Sequence, residues 1–232
     1  MIPVSLTYAD LQRLVRVCAG AALFVTVGIL VLRWGELQVA PMKVLSQTAS
    51  TAIGVPPLLL LAFSKLNWTR PWLAWLLGRR MVHGLWWGEL ITEFKSPDSA
   101  KPMEPIPIAF VIKQTYFFLS IQSYTSTQPA HSTLETLAVE PRSGRAQLQY
   151  VFEMQRLHLG EDKITTGHGD LRLTSGDSRL EGHYWTNSPT RGQIRLDLIT
   201  RECEGVDSFA DAKRVITVKG SELHIFRGYP SR

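Results

Sequence analysis

The 232 residues carry a net charge of +5, with 45% hydrophobic and 19% charged residues, averages that by themselves fit an ordinary globular chain. The averages conceal a division: Leu, Val, Ala, Trp and Phe dominate before about position 80, and charged and polar residues alternate with apolar ones after it. Charge alone does not choose between nucleic acid, anionic lipid and a phosphorylated ligand, and Cys18 in an apolar run and Cys203 in a polar one are poorly placed to pair, which fits reduced thiols and a cytosolic polar half.

Val15 to Leu32 holds a single charge, Arg16, and is apolar all round a helix, enough to cross a bilayer core. Ser46 to Leu66 is a second such run, uncharged until Lys65, and its Pro56 and Pro57 would kink a membrane helix rather than end it. The first run lacks a small-residue cleavage site, and the second follows closely, which sets it apart from a signal peptide. Basic residues bracket the pair, with Arg13 and Arg16 before it and Lys65, Arg70, Arg79 and Arg80 after it, against Arg33 and Lys43 between. This bias predicts cytoplasmic N- and C-termini. A connector follows in which Trp68, Trp72 and Trp75 interleave with basic residues, a composition expected at lipid headgroups.

From residue 81 the pattern changes to short β-branched and aromatic runs separated by Gly, Pro, Asp and Ser. Strands are predicted near Val82–Phe94, Ile106–Lys113, Tyr116–Thr125, Ser132–Glu140, Ala146–Gln155, Gly167–Thr174, Arg179–Asn187 and Gly192–Thr200, with turns around Gly144, Gly176 and Pro189. Eight antiparallel strands of this length close a small barrel without free edges. Alternation turns Leu180, Gly182, Tyr184 and Thr186 inward, with Ile194, Leu196 and Leu198 of the next strand, and Gly182 marks a bend or a close approach to the backbone. From about residue 201 an extension is expected, with a short helix over Phe209–Arg214 capped by Asp207 or Ser208 and a last strand in VITVKGSELHIF. The expected architecture is therefore a membrane-anchored all-β protein, with residues 1–80 forming the helical anchor and 81–232 the barrel.

No phosphate-cradling glycine loop, zinc spacing or nucleophile elbow is present, so neither a catalytic set nor a metal or cofactor is expected. His168 in TTGHGD and His183 have no partner defined by spacing and read as surface or structural residues. A binding site fits better. Trp86, Tyr116, Tyr150 and Tyr184 supply stacking rings, Gln114, Thr186 and Thr190 hydrogen-bonding groups, and Arg191 a phosphate donor. Each aromatic has a plain alternative as core, and Arg191 as a solvated turn residue.

Four segments carry a family resemblance: GLWWGEL at 84–90, IKQTYFFLSIQSYTS at 112–126, LQYVFE at 148–153, and above all LEGHYWTNSPTRGQIRL at 180–196. Together with the paired apolar runs they resemble the CBASS antiphage effectors of the CD-NTase-associated protein 15 type. The resemblance implies an inner-membrane, non-enzymatic effector with two spans and an eight-stranded barrel. Its barrel would bind a cyclic dinucleotide made by a partner nucleotidyltransferase, and binding would drive homo-oligomerisation and membrane disruption. It implies a pocket at Tyr116, Tyr184, Thr186, Thr190 and Arg191, while the NSP insertion between Thr186 and Thr190 stands where that family has a more basic turn. Gly20, Ala21, Ala22 and Gly28 offer small surfaces for helix packing during assembly. Two other readings stay open: a membrane-anchored lipid- or metabolite-binding barrel with a mainly apolar pocket, and a scaffold whose barrel is solid core.

Overall fold

A computed structural model describes residues 5–65, 78–93, 103–140, 142–155, 164–188 and 190–222. The chain divides into two compact units, one of Leu6–Arg79 with Thr115–Phe117, the other of Met1–Ser5, Arg80–Gln114 and Phe118–Arg232.

The first unit is built on α1 (Tyr8–Leu32), the short α2 (Trp34–Val39) and α3 (Pro41–Lys65). α1 begins one helical turn or more before the apolar run because Thr7 and Asp10 form a reciprocal cap. The Thr7 hydroxyl accepts from the Asp10 amide, and the Asp10 carboxylate accepts from the Thr7 amide at 3.1 Å. α3 continues through Pro56 and Pro57. Each long helix has 25 residues, about 37 Å at 1.5 Å per residue, and the most apolar 18-residue windows of the two have mean hydropathies of 2.3 and 1.4. Only 11% of either apolar window is buried, and Phe24, Leu32 and Ile53 stand outward. These are two helices long and apolar enough to cross a bilayer, with lipid-compatible faces. Arg33 ties the turn together, donating to Gln47 and to Glu36 at 2.5 Å each. The tryptophan-rich connector lies outside the described residues.

The second unit is a closed antiparallel barrel of β1 (Gly84–Thr92), β2 (Ile106–Gln114), β3 (Leu119–Thr125), β4 (Pro129–Val139), β5 (Ala146–Gln155), β6 (Ile164–Thr174), β7 (Arg179–Thr186) and β8 (Arg191–Thr200), each strand pairing with the next and β8 with β1. Period-two alternation builds its interior. Trp86, Ile112, Leu119, Leu148, Leu171, Leu180 and Leu196 are all but inaccessible and fill one end. Outside, Arg172, Glu181, Arg195 and Glu89 follow one another in register, a belt of alternating charge across four strands.

The packed end is fastened by polar groups. The Gln114 side-chain oxygen accepts from the amides of Val82 (2.8 Å) and His83 (3.1 Å), and its nitrogen donates to the Arg80 carbonyl at 3.0 Å. The Gln114 amide donates to Nδ1 of His83 at 3.1 Å. Arg201 donates to the carbonyls of Met81, His83 and Asp177, joining the entering segment to the β6–β7 turn. Buried carbonyls and amides that no strand could pair are satisfied in this way.

α4 (Phe209–Glu222) lies against the outer wall, where Leu85, Ala109, Val111, Val206 and Ala212 form a second apolar cluster with Trp87 and Val215 at its margin. The Ser208 hydroxyl accepts from the Asp211 amide at 3.1 Å, confirming that residue as the cap. The expected last strand is a correction. VITVK is helical, because Phe209, Ala212 and Val215 recur at helical spacing and pack on the barrel, which overrides the β-branched preference.

Candidate functional site: an uncharged chamber in the barrel

The inward residues change character along the barrel axis. At the end opposite the Arg80–His83 entry, interior positions pass from Leu and Ile to Tyr, Phe, Thr and Gly, and the interior opens into a cavity of about 580 Å³. Its deep wall is Ile108, Phe110, Tyr150, Tyr184 and Ile194, all core residues of the barrel. Thr92, Thr125, Thr127, Gln128, Thr186 and Thr190 ring the mouth with hydroxyl and amide groups. Among the described residues no charged side chain lines it. That volume lies within the range of small-ligand sites.

The aromatics are held in fixed poses. Tyr150 meets Phe110 edge-on, at 5.8 Å between centroids and 89°, and lies 5.8 Å from Phe152 at 37°. Tyr184 hydrogen-bonds the Thr92 side chain. Burial raises the phenol pKa of both Tyr150 and Tyr184, so each is a neutral hydrogen-bonding ring at physiological pH. Near the mouth the hydroxyls of Thr186 and Thr190 are 2.5 Å apart, and Thr186 also donates to the Ser188 carbonyl at 2.6 Å. The β7–β8 turn is thereby closed from within.

Of the eight residues that sequence reasoning singled out, Tyr150, Tyr184, Thr186 and Thr190 converge on this chamber. The other four do not, each for a physical reason. Trp86 sits in the packed core with its indole N–H donating to the Val82 carbonyl at 2.8 Å. Gln114 is consumed by the entry segment. Tyr116 belongs to the helical unit, its hydroxyl donating to the Asp10 carbonyl. Arg191 is turned to the outer wall because Gly192 and Ile194 take the inward phase, and its exposed guanidinium pairs with Glu93 at 2.6 Å. His168 and His183 also face outward; the His168 ring stacks on Trp185 at 5.8 Å. Phe152, Ser123 and Thr125 were missed, although they continue the inward phase of Leu148 on β5 and Ile121 on β3.

No protein-family model matches the chain, and no curated protein matches it.

Proposed function

We propose that the protein is a ligand-gated membrane effector, in which the chamber binds a cyclic dinucleotide and the paired apolar helices are the output. The observation that carries this reading is the chamber itself: a β-barrel serving only as a scaffold would be filled to native density, whereas this one keeps about 580 Å³ open between two tyrosines and a hydroxyl rim. Rings of that kind stack on bases, and threonine hydroxyls can donate to phosphate oxygens or hold them through water. The family resemblance supplies the ligand class, a partner nucleotidyltransferase as its source, and bacterial inner-membrane damage as the outcome. Cytoplasmic termini follow from the basic residues flanking the helices. A ligand drives assembly only to the extent that it binds the assembled state more tightly, so the ligated barrel is the associating species.

A second reading is favoured by the uncharged lining, which suits an amphipathic lipid or neutral metabolite with its apolar part inward. Thermal unfolding of the full chain in detergent separates the two. Stabilisation by a cyclic dinucleotide supports the effector reading; stabilisation by lysolipid alone overturns it. Co-expression with a cyclic-dinucleotide synthase is then expected to permeabilise bacterial membranes, and a Tyr184→Ala chain to leave them intact.

A further inference from the structure

The open half of the barrel owes its space to glycines. Along β6 the inward positions read Leu173, Leu171, Gly169, Gly167 from the packed end to the chamber. The cross-strand partners of the two glycines on β5 are Tyr150 and Phe152, and that of Gly169 on β7 is Tyr184, which in turn faces Gly192 on β8. Tyrosine and glycine therefore alternate around the wall in the order Tyr150, Gly169, Tyr184, Gly192.

The rings occupy the space that glycine leaves. A Cβ at Gly169 would stand 2.3 Å from Cε1 and Cζ of Tyr150 and 2.5 Å from its hydroxyl; one at Gly167 would stand 2.3 Å from Cζ of Phe152. Both distances are far inside van der Waals contact, so the Tyr150 ring lies across the backbone of β6 and Phe152 across the same strand one pleat nearer the mouth. A ring laid on the wall in this way borders the chamber while remaining only 4% exposed, and it cannot swing inward without losing that support. Gly192 and Gly167 are less informative, since a Cβ there would also strike a backbone carbonyl oxygen, that of Ile91 at 2.0 Å and that of Trp185 at 2.7 Å, whereas at Gly169 the three nearest atoms all belong to Tyr150.

We propose that Gly169 is a specificity-determining position that seats the Tyr150 ring flat against the barrel wall, and that the ring face so presented selects ligands carrying a planar ring. The proposal rests on the chamber being a ligand site, and it names the part of the ligand that the chamber reads. A methyl group at 169 lifts the ring into the chamber and removes the stacking face together with part of the volume.

Two measurements on the full chain in detergent test it. The first is a ligand-free cycle of melting temperatures for Gly169→Ala, Tyr150→Ala and the double variant. Alanine at 169 is expected to lower the melting temperature when Tyr150 is present and much less when it is absent; an equal drop in both backgrounds overturns the proposal. The second is binding of cyclic di-AMP, adenosine and ribose 5-phosphate to wild type and Gly169→Ala. Ring-bearing probes are expected to bind wild type about ten-fold or more tightly than the variant. Equal binding of cyclic di-AMP to both chains overturns the role of Gly169 and leaves the effector reading standing. Binding of adenosine without cyclic di-AMP keeps the planar-ring site and removes cyclic di-AMP as its ligand. Binding of ribose 5-phosphate alone, or of no probe to wild type, overturns the planar-ring site.

Discussion

The hydroxyl of Tyr116 donates to the carbonyl oxygen of Asp10 at 2.9 Å, joining residues 106 positions apart in the first turn of α1 and in the segment between β2 and β3. The ring also meets Phe63 of α3 at 5.8 Å and lies under the Arg79 guanidinium at 5.7 Å. Burial raises its pKa to about 12, which keeps the phenol a donor. A residue bonded in this way to the helical unit has a testable signature. Tyr116→Phe is expected to destabilise the full chain by about 1 kcal/mol with no change in ligand affinity, whereas Tyr184→Ala abolishes ligand-induced stabilisation. A large affinity loss in Tyr116→Phe would contradict this assignment.

Arg191 gives the complementary case. Its pairing with Glu93 is solvent-exposed and worth well under about 1 kcal/mol. Arg191→Ala is expected to keep both the melting temperature and the ligand-dependent shift of the wild type, measured by the same thermal titration.

Glu135 is buried and faces the interior on β4, opposite Tyr150. Its partner Ser132 has one proton to give, yet it accepts from the Ile121 amide, bonds the Ile121 carbonyl and contacts the Glu135 carboxyl. That hydroxyl cannot donate to the Ile121 carbonyl and the Glu135 carboxyl at once; burial raises the Glu135 pKa, and the Ser132 hydrogen bond lowers it by less. With the folded pKa above the unfolded value of about 4.3, the stability this group contributes is complete below that value. It is lost as pH rises through the folded pKa. Glu135→Gln is therefore expected to melt higher than wild type at pH 7 and to lose that advantage near pH 4. Equal melting temperatures throughout that range would show that the buried carboxyl costs the fold nothing.

His83 titrates in the opposite direction. Burial, followed by the Arg201 charge, lowers its pKa, and Nδ1 accepts from the Gln114 amide, which a protonated ring cannot do. Stability is then present above the unfolded value of about 6.5 and is lost as pH falls from there through the folded pKa. Urea unfolding of wild type is expected to show this decline between pH 7 and 5, and His83→Asn, starting from a lower stability, to show a flatter profile.

Much of the barrel is legible in the sequence because alternation and turn chemistry are local. β5 runs over the residues that alternation delimits, and the β6–β7 turn falls at Ser175, Gly176 and Asp177, all with left-handed φ. Leu180, Tyr184, Ile194 and Leu196 face inward as their phase requires. The closing extension was harder: Val215 to Val218 has a strand-like composition, and only contact with the outer wall makes it helical. At the site, phase identifies which residues point inward but not how deep they sit. Trp86 and Tyr150 are both inward aromatics, yet one is sealed in the packed end and the other borders open space. The turn after Gln114 was beyond reach for another reason. Tyr116 looks like a strand residue, and its partners on α1 and α3 are far away in sequence.

Pairing of β8 with β1 closes the sheet on itself. In the proposed effector, copies of this barrel would therefore share backbone edges at most along the β3–β4 seam, where only Gln122–Tyr124 and Pro129–His131 are paired. Cohesion between barrels would otherwise have to come from side chains on the outer wall, such as the exposed Trp185, and from the helices in the lipid. Single substitutions on that wall would then set how many copies gather, leaving each barrel's own fold untouched.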